Sequence, residues 1–128
     1  IIQRENSPNK YFLGYYNNMK NKSKQLRIRE VQDVLDVIGG RWKGAILACL
    51  CDGDKRFGEL KMELDGITSR VLTNDLRYLE QSKLVERISD PNNAVAVIYR
   101  LTEHGHSLEP VIQTIAKWGV KHRAVALS

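Results

Sequence analysis

Apolar residues in this chain keep a helical spacing from Phe12 to Leu79, alternate after Leu84, and return to helical spacing before the C-terminus. Ser7-Pro8 has the form of a helix start, with Ser as N-cap and Pro in the first turn. Phe12, Tyr15, Tyr16 and Met19 follow at i, i+3, i+4 and i+7, which predicts a helix over 8–22, weakened by Gly14. Such an aromatic stripe is expected to pack or to form a dimer interface rather than a ligand site. Val31, Val34, Leu35 and Ile38 predict a first core helix, stopped by Gly39-Gly40. A second helix opens at Arg41, carries Trp42, Ile46, Cys49 and Leu50 on one face, and ends at Asp52-Gly53-Asp54. A third, short helix carries Phe57, Leu60 and Leu64 and closes at Asp65-Gly66, where glycine supplies the left-handed residue. Thr68 is the N-cap expected for a fourth helix reaching Ser82.

The period then becomes two. Leu84 to Asp90 and Val95 to Leu101 read as strands, the second rich in β-branched residues, around a tip of Pro91-Asn92-Asn93-Ala94. Thr102 caps a last helix with Leu108, Val111, Ile112, Ile115 and Trp118 on its apolar side, and Pro110 inside it predicts a kink. This order predicts a mainly α, α+β fold: a winged helix-turn-helix with a two-stranded wing and dimerisation helices at both ends. Residues 1–29 are expected to form an arm. Residues 30–128 are expected to form a DNA-binding domain with a C-terminal dimer helix, joined to its mate through Phe12, Tyr15, Tyr16, Ile115 and Trp118.

The fourth helix carries the chemistry. At about 100° per residue, Leu72, Leu76 and Leu79 fall in one narrow stripe, and Arg70, Thr73, Asn74, Arg77 and Gln81 fall opposite. Arg forks onto guanine, Asn and Gln pair with adenine, and Thr meets a polar edge or a thymine methyl. Ser69, in the first turn, offers a hydroxyl and an N–H to a phosphate. An ordinary solvated helix face would instead be rich in Glu and Lys; here Asp75 and Glu80 lie off its centre. In the candidate wing, Arg87 and Arg100 flank a tip that offers Asn92 and Asn93 for backbone contacts. Lys55 and Arg56 are candidates to hold a phosphate. For each basic residue, a merely solvated charge is the alternative.

Composition narrows the class without naming a partner. The 128 residues are 42% hydrophobic and 27% charged, as in ordinary globular domains. Net charge is +5, but residues 1–29 carry +6 and the remainder −1, so a DNA interface must rest on where basic residues point. No apolar run approaches the roughly 18 residues of a membrane span, and no signal-like segment opens the chain. With two cysteines and no disulfide framework, a cytoplasmic location is expected.

Five motifs in order carry a family resemblance: Val37-Ile38-Gly39-Gly40-Arg41-Trp42; Arg56-Phe57-Gly58-Glu59-Leu60; Gly66-Ile67-Thr68-Ser69-Arg70-Val71-Leu72-Thr73; Leu79-Glu80 with Leu84-Val85-Glu86-Arg87; and Tyr99-Arg100-Leu101-Thr102 with Gly105. Over about residues 30–122 the chain resembles the HxlR family of bacterial winged-helix regulators. The resemblance implies a homodimer joined through terminal helices, a recognition helix in each of two major grooves, and control of a nearby gene. It also implies two departures. Members that sense electrophiles or oxidants usually carry a Cys-Pro pair where this chain has Arg29-Glu30, and many carry a wing Arg where it has Ala96.

Other chemistry has little support. Cys49 and Cys51, two apart on a helix, point away from each other and do not form a zinc pair; Cys49 reads as a core thiol and Cys51 as the more exposed one. His104 and His106 have the same two-residue spacing, with Gly105 between them, and His122 is distant, so no metal or other cofactor is expected. No phosphate loop, activated nucleophile or paired acid motif points to an enzyme. The expected partner is double-stranded DNA; the rival is a protein-interaction adaptor, since winged helices also serve that purpose.

Overall fold

The structure, a computed structural model, describes residues 24–128; the helix expected over 8–22, with Phe12, Tyr15, Tyr16 and Met19, lies outside them. Residue contacts divide the chain into one unit ending at Asp36 and another running Val37–Ser128. Helix α1 spans Lys24–Ile38 and includes the stretch expected from Val31 onward. Gly40, at φ 72°, takes the left-handed conformation that ends it.

In the second unit, α2 (Lys43–Cys51) buries Ile46, Leu47 and Leu50. The expected face omitted Leu47, because a run as apolar as Ala45-Ile46-Leu47-Ala48-Cys49-Leu50 has no periodicity to mark its orientation. Helix α3 (Phe57–Glu63) starts with Glu59 Oε1 accepting from the Arg56 backbone N–H at 2.9 Å. Leu60 and Leu64 are buried, and Gly66 turns at φ 92°. Helix α4 spans Ser69–Gln81 and contributes Leu72, Leu76 and Leu79 to the same core as Leu60 and Ile67.

Just before α3, Lys55–Arg56 forms a short strand, β1; β2 (Val85–Asp90) and β3 (Asn93–Leu101) make the expected hairpin. The antiparallel order is β1-β3-β2, with Lys55 opposite Tyr99, Arg56 opposite Ile98, and Val85 opposite Leu101. A register shift at Ser89/Asp90 loosens the ladder toward the tip. Leu84, Val85 and Leu101 close the core from this side.

The C-terminal region corrects one expectation. A single helix kinked by Pro110 is replaced by two, α5 (Glu103–His106) and α6 (Glu109–Ala126). Pro110 falls in the first turn of α6, where a helix has no intrahelical N–H bond to lose, so it begins a helix rather than bending one. Thr102 anchors the start of α5: its hydroxyl accepts from Gly105 N–H at 2.9 Å and donates to the Lys83 carbonyl at 2.6 Å.

Candidate nucleic-acid interface

Thr68 caps α4, its hydroxyl accepting from Val71 N–H at 3.1 Å. Ile67, buried between Gly66 and that cap, donates its N–H to the Leu64 carbonyl at 3.1 Å and locks the turn between α3 and α4. The leucine stripe then sets the helix rotation: Leu72, Leu76 and Leu79 are at most 1% exposed. Ser69, Arg70, Thr73, Asn74, Arg77 and Gln81 are all exposed, while Asp75 and Glu80 are half-buried at the margins. Arg70 and Arg77 make no ion pair among the described residues. The exposed side thus presents donors and acceptors, with no described carboxylate against its cations. Tyr78, which the leucine spacing left unassigned, is also exposed, one turn beyond Asn74.

The other basic candidates are placed differently. Lys55 Nζ lies 2.8 Å from Glu63 Oε1. Arg56 donates from Nε and Nη2 to Asp90 Oδ2 at 3.0 and 2.5 Å. Both cations expected to hold a phosphate are therefore engaged by carboxylates of their own chain. Arg100 likewise meets Asp54 at 2.9 Å, whereas Arg87 is exposed and unpaired among the described residues.

At the wing tip, Asp90 is buried against Arg56, and its Oδ1 accepts from Asn92 N–H at 2.8 Å. That amide bond and then the Arg56 guanidinium hold the Asp90 carboxyl below its ordinary range. Asn93 Oδ1 accepts from Val95 N–H at 3.3 Å, and Asn92, Asn93 and Val95 are exposed.

Ile115 and Trp118, expected at a dimer interface, are exposed on α6 together with Val111, and no residue of α6 is buried. His122 stacks on Trp118 with ring centres 4.9 Å apart. Both thiols are half-buried and pack against the core. Burial, followed by the Glu63 carboxylate, pushes Cys49 up to about 11. Burial, then Glu109 and Asp52, also raises Cys51. His106 Nδ1 lies 2.7 Å from Glu109. No cluster of three or more metal-ligating side chains occurs among the described residues. None of their helices is long and apolar enough to cross a membrane.

Known proteins share this arrangement. Residues 37–126 match the family described as HxlR-like helix-turn-helix. The HTH-type transcriptional regulator YdeP of Bacillus subtilis is 44% identical over 93 residues, 73% of each chain. The redox regulator HypR in its reduced form superposes with a TM-score of 0.70 at 41% identity, covering 76% of this chain and 96% of that one. Quinone-bound YodB from B. subtilis gives a TM-score of 0.62 at 35% identity, covering 73% of this chain and 98% of its own. The match spans the helix-turn-helix, the wing and α6, so the chain belongs to the HxlR-like family of helix-turn-helix transcriptional regulators and is a DNA-binding regulator rather than an enzyme.

Proposed function

We propose that the chain binds a specific duplex as a homodimer, with α4 of each subunit in a major groove and the β2–β3 hairpin on the flanking backbone. One observation carries this reading: a buried leucine stripe turns Arg70, Asn74 and Arg77 outward, and among the described residues no carboxylate compensates either arginine. Arg70, Asn74 and Arg77 read base edges, while Ser69 and Thr73 support them from the first turns. Arg87, Asn92 and Asn93 meet the backbone from the wing. Lys55 and Arg56 serve mainly to position it, since their charges are already matched. The exposed Ile115 and Trp118 on α6 supply apolar surface for the second subunit, and two-fold symmetry sets half-sites about 34 Å apart. Such a regulator works beside the chromosome, in the cytoplasm.

The test is enrichment of duplexes from a random-sequence library by the wild-type protein, followed by titration of variants. Arg70→Ala and Arg77→Ala are each expected to lose about 1–3 kcal/mol on the enriched duplex and to relax base preference at one position. Wild-type binding by both variants removes the assignment. Light scattering at micromolar concentration is expected to give twice the chain mass; a monomer refutes the homodimer.

A further inference from the structure

Tyr78 is the single aromatic residue of α4 and is 38% exposed, off the leucine stripe. At about 100° per residue it stands about 40° round the helix from Asn74 and about 100° from Arg77. It therefore occupies the flank that Arg77 does not. Lys43 Nζ lies 4.2 Å from the centre of its ring. Lys43 opens α2 and is half-buried, so it acts on the ring as a support. A cation over an aromatic face favours one placement of that ring. The phenol hydroxyl has no hydrogen-bond partner among the described residues.

A helix with its side chains is about 10–12 Å across, close to the major-groove width of about 12 Å. The flanks of a helix in the groove therefore meet the phosphate walls. Helix α2 shares the core with the leucines of α4, so a ring that leans on α2 is drawn toward the body of the domain and away from the groove floor. We propose that the Tyr78 hydroxyl donates a hydrogen bond to a phosphodiester oxygen of the duplex and so positions α4 without reading bases. This contact rests on the reading that α4 enters the groove, and it draws on Lys43 only to hold the ring. Every phosphate presents the same acceptor, so the contact serves selected and unselected sequences alike. A hydroxyl displaces no counterion, so the bond leaves the salt dependence of binding untouched.

Anisotropy titrations of Tyr78→Phe on the enriched duplex and on an unselected one, between about 50 and about 200 mM salt, test it. Phe keeps the ring over Lys43 and loses only the hydroxyl. Both duplexes are expected to bind roughly three- to thirtyfold more weakly, with the slope of log K against log salt unchanged. Replacing single phosphates of the enriched duplex by methylphosphonates then locates the acceptor: at one position the loss seen with wild type should shrink in Tyr78→Phe. Additive losses at every phosphate, or weakening confined to the enriched duplex, overturn the phosphate assignment. Wild-type binding by Tyr78→Phe, beside weakened Arg70→Ala and Arg77→Ala, also overturns it and leaves the proposed function standing. Wild-type binding by all three variants sinks the groove reading and the inference together.

Discussion

Arg56 and Asp90, distant in sequence, meet through two hydrogen bonds from one guanidinium to one carboxylate oxygen, at 3.0 and 2.5 Å. Arg56 stands at the junction of β1 and α3, and Asp90 at the end of β2, where the ladder shifts register. The pair ties the wing tip to the first helix of the helix-turn-helix. The second oxygen of Asp90 takes Asn92 N–H at 2.8 Å and shapes the turn itself.

Asp90→Ala and Arg56→Ala are therefore expected to weaken DNA binding between about twofold and about thirtyfold, as when a link that couples two segments is cut. The double variant should lose little more than either single one, because both break the same link. Fully additive losses in anisotropy titrations would mean that Arg56 touches DNA independently of Asp90.

The same carboxylate gives a pH dependence with a definite sign. Its amide and guanidinium partners lower Asp90 in the folded chain, so the anchor is fully present above the ordinary carboxylate value of about 3.9 and is lost as pH falls through the lower folded value. The Asn92 amide signal, followed by NMR, is expected to stay constant from neutral pH to about 5 and to move only below about 3.9. A midpoint at or above that value contradicts the geometry.

Oxidants are expected to leave DNA affinity unchanged. Cys49 is pushed up to about 11 and Cys51 is raised too, so both remain thiols near neutral pH and react slowly. Cys49 and Cys51 are the chain's two cysteines, and Arg29-Glu30, inside α1, offers no thiol. A diamide-sensitive loss of binding that Cys51→Ser abolishes would reverse this prediction.

Gly105 is irreplaceable for a reason that lies in Leu84. A Cβ at position 105 would stand 2.1 Å from the Leu84 carbonyl oxygen, which itself accepts from Thr102 N–H at 3.0 Å. Gly105→Ala is expected to cost roughly 2–4 kcal/mol in urea unfolding, since backbone on both sides must shift. Gly58→Ala, with nothing within 4 Å of its new methyl, should be neutral or stabilise α3 by up to about 1 kcal/mol. Equal effects at the two sites would show that the close approach does not persist in solution.

The amino-acid order alone determined the two-sided α4, its Thr68 cap, the Gly66 turn and the hairpin. Each is a local matter: a side chain's period along its own helix or strand, a hydroxyl reaching three residues ahead, or a backbone angle only glycine adopts cheaply. The tertiary structure decided what depends on distant segments. Strand β1 has two residues and no period of its own, and exists because Tyr99 and Ile98 lie opposite. Pro110 falls in the first turn of α6 because the helix before it ends at His106, a boundary that the apolar period does not mark. Which cations remain available was likewise settled by folding. Glu63, Asp90 and Asp54 engage Lys55, Arg56 and Arg100, while no carboxylate pairs with Arg70, Arg77 or Arg87 among the described residues. Charge is written in the sequence, but its compensation depends on which residues meet in space.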